Sequence, residues 1–156
     1  MGVQCAVAGA TTPAAASIRR WARAARLGSG RRVRAETVVV RIVGRSESAR
    51  LNAGYRAKAG PTNVLSFGYD GPAAAKLRPH LGDLVICAPV VRAEARAQGK
   101  SERAHWAHMV VHGIMHLCGY DHQSAPEARR MERRERRILA GLGFPDPYLL
   151  PPERSQ

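Results

Sequence analysis

The sequence predicts an α+β fold, a single domain over residues 1–156 in which a small mixed β-sheet packs with about five helices. Three observations predict this class. A chain of 156 residues has the usual length of one domain. Hydrophobic residues make up 45% of the chain, which is enough to form a core, although aromatic residues make up only 5%. Short segments rich in β-branched residues also alternate with longer segments whose apolar residues recur at helical spacing.

The first half of the chain predicts two helices and two strands. Residues 13–27 predict a helix, because proline suits its first turn and apolar side chains recur at helical spacing. The β-branched segment 36–43 predicts a strand. We expect a short helix over 46–55, with Ser46 as its N-cap, and a short strand over 62–67.

The second half predicts one buried strand followed by three helices. After a loop rich in glycine, proline and alanine at 70–79, residues 81–87 predict the strand and 89–98 a helix. A long apolar helix is expected over 101–118, capped by its first serine. The last helix is expected over 124–142, because a serine and a glutamate three residues later have the spacing of a capping box.

The charge of the chain favours an anionic partner. The sequence has 25 Lys and Arg against 12 Asp and Glu, a formal net charge of +13. A small domain with this charge attracts polyanions such as nucleic acid or an anionic particle. Alternatively, the arginines between 129 and 137 are simply the solvated face of a helix in an arginine-rich chain.

The sequence argues against membrane insertion and secretion. No apolar run approaches the roughly 20 residues that span a bilayer. The apolar N-terminal stretch lacks the preceding basic residues of a signal peptide. The three cysteines, Cys5, Cys87 and Cys118, contain no CxxC pair and do not suggest a disulfide framework. We expect a soluble, cytoplasmic protein with no membrane partner.

The strongest motif is the histidine cluster at 112–122. His112 and His116 are four residues apart, so on a helix they lie on one face and can bind the same metal ion. Gly119 can turn the chain back, because glycine adopts positive φ freely, and His122 then supplies a third ligand from the loop. This is the ligand spacing of metzincin-type zinc sites. We therefore predict one zinc ion held by these three histidines, with an open fourth position.

One position differs from the metzincin pattern. Gly113 stands where such peptidases carry a glutamate as general base, so the sequence predicts metal chemistry other than peptide hydrolysis. Cys118 is expected to face away from the histidines and so cannot complete a structural zinc site. His105 and His108 are expected to pack or to support the ligands. Asp121 either orients an imidazole or stabilises a turn.

The same residues resemble a known family. The segment HGIMHLCGYDH, from His112 to His122, closely resembles the signature HGxLHLxGYDH of the YbeY family of endoribonucleases, with Met115 in place of the usual leucine. Further family segments follow in the same order, so the likeness covers roughly residues 36–148 and leaves the first 30 or so residues unassigned. These further segments are 51–56, 61–67, 81–86, 104–108 and 142–148.

The resemblance implies a function. It implies a metal-dependent endoribonuclease specific for single-stranded RNA, acting in rRNA processing, notably at the 3′ end of small-subunit rRNA, and in ribosome quality control. It implies zinc on the three histidines, the ribosome or ribosomal proteins as partners, and a bacterial cytoplasmic location. The family's arginine near the metal corresponds to Arg56, which is expected to bind RNA and neutralise charge growing on the phosphate.

The predicted catalytic residues are therefore Arg56, His112 and His116. The proton acceptor stays open between zinc hydroxide, the RNA 2′-OH, Asp83 and Asp121. Two other functions also stay open. One is a zinc peptidase or related hydrolase, and the other is a non-enzymatic ribosome-assembly factor whose zinc only joins the loop to the helix.

Overall fold

A computed structural model describes residues 2–5, 12–31, 37–68, 80–121 and 123–149. Within these ranges the chain forms five helices and four strands, which confirms the predicted α+β class. The helices are α1 (Ala15–Gly28), α2 (Arg45–Arg56), α3 (Ala88–Ala97), α4 (Glu102–Leu117) and α5 (Ala125–Gly141). The strands are β1 (Gly2–Cys5), β2 (Thr37–Val43), β3 (Val64–Gly68) and β4 (His80–Cys87).

The sheet is mixed, as predicted, and has the strand order β1-β2-β4-β3. β2 is parallel to both β1 and β4, whereas β3 is antiparallel to β4. The sequence did not predict β1, because its alanine-rich surroundings carry little strand signal. Its pairing with β2 is a tertiary contact that local patterning does not reveal.

The two faces of the sheet pack against different helices. Alternate residues of β2 and β4, such as Val40 and Leu84, belong to a large core that also contains residues of α1, α4 and α5. Their neighbours in the strands, such as Val85, belong to a smaller cluster with Leu51 of α2. This alternation follows the period of two of a strand, and it places α4 centrally, between the sheet and the outer helices.

Two of the three predicted serine N-caps are confirmed. Ser101 accepts a hydrogen bond from the backbone amide of Ala104, and Ser124 accepts one from that of Glu127. Ser46 is a wrong prediction, because α2 already begins at Arg45, after an N-cap glycine with no side chain to offer.

The predicted loop at 70–79 lies outside the described residues. None of the helices in the described ranges is long and apolar enough to cross a bilayer.

Gly113 sets the distance between α4 and the sheet. A Cβ atom at this position would lie 2.7 Å from Cδ2 of Leu84 and 3.3 Å from Cγ2 of Val64. The hydroxyl of Ser66, in β3, donates to the carbonyl oxygen of Gly113 over 3.2 Å. Position 113 therefore faces the sheet and permits close packing, which accounts for glycine where a peptidase carries its glutamate.

Candidate metal centre

Four histidines follow one side of α4, and the structure brings the predicted pair together. The rings of His112 and His116 have centroids 4.6 Å apart, and their Nε2 atoms are separated by 3.1 Å. The rings of His108 and His112 follow at 6.0 Å, and those of His105 and His108 at 6.1 Å. The row arises because spacings of three and four residues return to the same side of a helix.

The hydrogen bonds of the Nδ1 atoms of this pair determine whether the facing Nε2 atoms carry a proton. Nδ1 of His112 lies 2.7 Å from Oε1 of Glu135, and Nδ1 of His116 lies 2.9 Å from the carbonyl oxygen of Tyr120. A carboxylate and a carbonyl only accept hydrogen bonds, so each Nδ1 carries the proton and donates. In the neutral rings both Nε2 atoms are therefore acceptors, and they cannot hydrogen-bond to each other.

This arrangement fits a metal ion. Two nitrogens that bind one tetrahedral zinc at about 2.0–2.1 Å are about 3.3 Å apart, close to the 3.1 Å between these Nε2 atoms. Ligating histidines also usually donate their other N–H to a carboxylate or carbonyl, as both rings do here. The donor set and its surroundings therefore suit zinc or a similar ion that binds imidazole.

Glu135, on α5, is a residue that the sequence analysis missed. Its side chain is fully buried and accepts hydrogen bonds from His112, from Nε2 of His108 at 3.0 Å, and from the hydroxyl of Tyr148. The available signal was position: Met131, Glu135 and Ile138 fall on one buried stripe of α5. A carboxylate in an apolar stripe needs partners, and histidines on the facing helix are suitable ones.

A second group of potential ligand atoms adjoins the first. Three side chains, those of His108, His112 and Glu135, each offer one ligand atom. These three atoms lie within 4.8 Å of one another, and such a group could hold a metal ion. It lies on the Nδ1 side of His112, whereas His116 lies on the Nε2 side. His112 is thus common to both groups, and His108 supports it through Glu135, as the sequence analysis expected.

The charge of Glu135 is stabilised by the histidines. Burial raises the pKa of this carboxyl, but hydrogen bonds from His108 and His112 and their charges outweigh it and hold the pKa at about 2. Burial and the neighbouring Glu135 raise the pKa of Tyr148, so its hydroxyl stays protonated and donates. The carboxylate therefore remains ionised at neutral pH.

The lowered pKa of Glu135 predicts a pH-dependent stability. Because the pKa is about 2 in the folded protein and near 4.5 when unfolded, the stabilisation is complete above about pH 5 and is lost as pH falls towards 2. The loss is of the order of 3 kcal/mol. Urea unfolding at pH 6, 4 and 3 measures this loss. In the Glu135→Gln variant, the free energy of unfolding is expected to change much less over this pH range. An equally steep fall in the variant would contradict the prediction.

The loop after α4 is held by the end of α1. Gly119 has φ of 98° and turns the chain, as predicted. The hydroxyl of Tyr120 donates to the carbonyl oxygen of Ser29 over 2.5 Å. Arg31 donates to the carbonyl oxygen of Gly119 over 3.1 Å, and its guanidinium lies 4.2 Å from the centre of the Tyr120 ring. These contacts fix the Tyr120 carbonyl that orients His116, which gives the previously unassigned α1 region a structural role.

The remaining predicted residues are placed as follows. His122 lies outside the described residues, so the third ligand stays a prediction. Arg56 is exposed at the last position of α2. Asp83 is half-buried in β4. Asp121 is exposed, and its Oδ1 accepts a hydrogen bond from the amide of Gln123, so it stabilises the turn. Cys118 is buried in the core.

The fold and the site together define an α+β protein with a histidine-rich candidate metal centre on a central helix. The family model described as Endoribonuclease YbeY matches residues 10–143. The chain therefore belongs to the YbeY family, and its likeness to that family begins well before residue 36.

Relatives agree with this assignment, and a solved structure shares the fold. A protein named Endoribonuclease YbeY from Methylococcus capsulatus is 57% identical over 136 residues, 87% of each chain. That of Alkalilimnicola ehrlichii is 55% identical over 139 residues, 88% of this chain and 83% of the relative. That of Nitrosococcus oceani is 50% identical over 147 residues, 94% of each. The solution structure of a Thermotoga maritima protein matches the fold with a TM-score of 0.57, at 20% identity, over 95% of this chain and 98% of that one.

Proposed function

We propose that this chain is a single-domain, zinc-dependent endoribonuclease that cleaves single-stranded RNA. The observation that carries the proposal is the pair of facing Nε2 atoms, both acceptors, on His112 and His116. Relatives at 50–57% identity are named endoribonucleases, which supports RNA as the substrate. The biological setting that we propose is the cytoplasm, where the enzyme acts in small-subunit rRNA 3′-end maturation and ribosome quality control.

The residues proposed to hold the ion are His112, His116 and His122. The alternative group around Glu135 is less suitable, because three donors already occupy that carboxylate. Zinc held by these histidines would supply a Lewis acid and would bring the pKa of its bound water to about 7. Glu135 keeps His112 in the tautomer that exposes Nε2, and the Tyr120 carbonyl does the same for His116.

Arg56 is proposed to bind the reacting phosphate. A guanidinium can donate two parallel hydrogen bonds to phosphate oxygens and so oppose the charge that grows in the transition state. The exposure of Arg56 at the end of α2 leaves it available to a large substrate. Among the candidate proton acceptors, Asp121 has one carboxylate oxygen engaged by the backbone amide of Gln123.

A basic surface on α1 and α5 supports RNA and the ribosome as partners. The two helices are adjacent, since Arg134 of α5 donates to the carbonyl oxygen of Gly28 at the end of α1. Both carry exposed arginines, and phosphate contacts of this kind give affinities that fall steeply with salt. The exposed arginines that define the basic surface are Arg19, Arg20, Arg23, Arg129, Arg130, Arg133 and Arg137.

The test is cleavage of one labelled RNA in two forms. Single-stranded RNA and its duplex are incubated with zinc-loaded protein, with protein treated with a chelator, and with treated protein after zinc is restored. We expect cleavage of the single strand alone, loss of cleavage on chelation, and recovery with zinc, because the proposed catalyst is the ion on the histidines.

Further arms separate the alternatives. Cleavage that survives chelation would contradict a metal-dependent enzyme. No cleavage in any arm would favour the ribosome-assembly factor. Digestion of casein would favour a peptidase, even though Gly113 faces the sheet at the position where such peptidases carry a glutamate as general base. Arg56→Ala is included in the same assay, and unchanged binding and cleavage would remove its proposed phosphate contact.

A further inference from the structure

A cavity of about 660 Å³ opens beside the histidine row. Its volume is within the range of about 300–1,000 Å³ that is usual for small-molecule sites. α3 contributes Glu94 to the wall, α4 contributes His108 and His112, and the segment after α5 contributes Tyr148. His112 therefore belongs both to the candidate metal centre and to this cavity.

Hydrogen-bond acceptors with spare capacity line one part of the cavity. Oε1 of Glu94 accepts from Nδ2 of Asn63 at 3.1 Å and from Nε2 of His105 at 3.0 Å, whereas Oε2 has only a longer contact, 3.3 Å, with the same Asn63 nitrogen. A carboxylate has about four acceptor positions, so Oε2 retains capacity.

A cationic donor lies near this carboxylate. Lys100 also lines the cavity, and its ammonium donates to the carbonyl oxygen of Pro147 over 2.5 Å. Burial lowers the pKa of Lys100, and the nearby carboxylates of Asp146 and Glu94 oppose that shift. An ammonium has three donors, so it can serve a ligand oxygen besides Pro147.

We propose that this cavity binds an unpaired guanine base of the RNA substrate. The Watson–Crick edge of guanine presents two adjacent N–H donors, which can share Oε2 of Glu94, and the acceptor O6, which matches Lys100. Adenine and cytosine present one amino donor each on that edge, and the imino group of uracil is flanked by two carbonyl oxygens that the carboxylate repels. The carboxylate likewise disfavours a phosphate group in this position.

The cavity also has surfaces for the flat faces of a base. The rings of His108 and Tyr148 line it with centroids 5.3 Å apart and planes at 82° to each other, so a base that stacks on one ring meets the other at its edge, and Met109 adds an apolar, polarisable side chain. Proteins bind splayed bases of single-stranded RNA by such stacking together with hydrogen bonds to the base edges. A base here lies beside His112, so this inference rests on the proposed function and gives that enzyme a guanine preference next to its cleavage site.

The experiment uses nucleosides, which carry no phosphate and cannot be cleaved. Guanosine and uridine are titrated into ¹⁵N-labelled protein, and binding is followed from amide shifts of cavity residues such as Gln98 and Met109. We expect guanosine to bind about tenfold more tightly than uridine, and Glu94→Gln to reduce this ratio to near one. Lys100→Met is expected to weaken guanosine binding while leaving the carboxylate in place.

Glu47→Gln is the matched control, because it removes a carboxylate from α2 that pairs with Arg41 and does not line the cavity. It should keep the wild-type preference. Equal binding of the two nucleosides, or guanosine shifts confined to residues outside the cavity, would overturn the inference. The nucleosides contain no bond that the enzyme cleaves, so the binding result can be interpreted even if RNA cleavage fails. Likewise, a failure of guanosine binding leaves the cleavage assay interpretable.

Discussion

His116→Ala is expected to abolish zinc binding at the site and to lower the rate of RNA cleavage by about 10²–10³-fold, the usual cost of removing one group that stabilises a transition state. The physical reason is that the substitution removes one of the two facing Nε2 acceptors and leaves His112 as the single proposed ligand on α4. Zinc content by mass spectrometry and cleavage of the single-stranded RNA measure the two effects.

The control for this variant is Glu102→Ala, an exposed side chain in the first turn of the same helix. It should retain zinc and cleavage, since Glu102 is exposed and pairs with Arg92 at 3.7 Å on the surface. The triple variant that also replaces His112 and His122 should be no less active than His116→Ala by itself, because ligands act as a unit. A folded His116→Ala variant that still bound zinc and cleaved RNA would contradict the proposed centre.

Gly113→Glu is expected to destabilise the fold by more than 3 kcal/mol, or to prevent folding. The new Cβ would lie 2.7 Å from Leu84, so α4 and the sheet would have to move apart, which usually costs about 1–3 kcal/mol. The carboxylate would then be buried against an apolar sheet with no partner, which adds a further cost. Urea unfolding compared with the wild-type protein measures the sum.

Gly113→Ala isolates the steric part, and Gly54 supplies a matched control. Both glycines are helical, but a Cβ at position 54, in α2, would meet no atom within 4 Å. Gly54→Ala should therefore stabilise the protein by up to about 1 kcal/mol, the usual gain of alanine over glycine in a helix. If Gly113→Ala and Gly54→Ala changed stability equally, close packing at Gly113 would not be the reason for that glycine.

The close packing of α4 on the sheet at Gly113 also bears on function. In the pattern HxxxHxxGxxH, the sequence shows only that the glutamate is missing. The structure adds that position 113 points to Leu84 and Val64 and away from the two histidines. A peptidase-like base therefore cannot be restored by one substitution, because α4 packs too closely on the sheet for any side chain there.

The sequence by itself determined the α+β class, the five helices and three of the four described strands. It also determined the pairing of His112 with His116, because four residues make about one helical turn and both ends of α4 carry clear signals in Ser101 and Gly119. These features depend on residues close together in the chain. Local periodicity and capping are sufficient to predict them.

Only the tertiary structure decided the features that join distant segments. Glu135 meets His112 across two helices, Arg31 and Ser29 hold the loop of Tyr120, and β1 pairs with β2. In each case the decisive contact depends on which helix faces or strand edges meet. That choice is made by burial over the whole core, so no local pattern in the chain contains it.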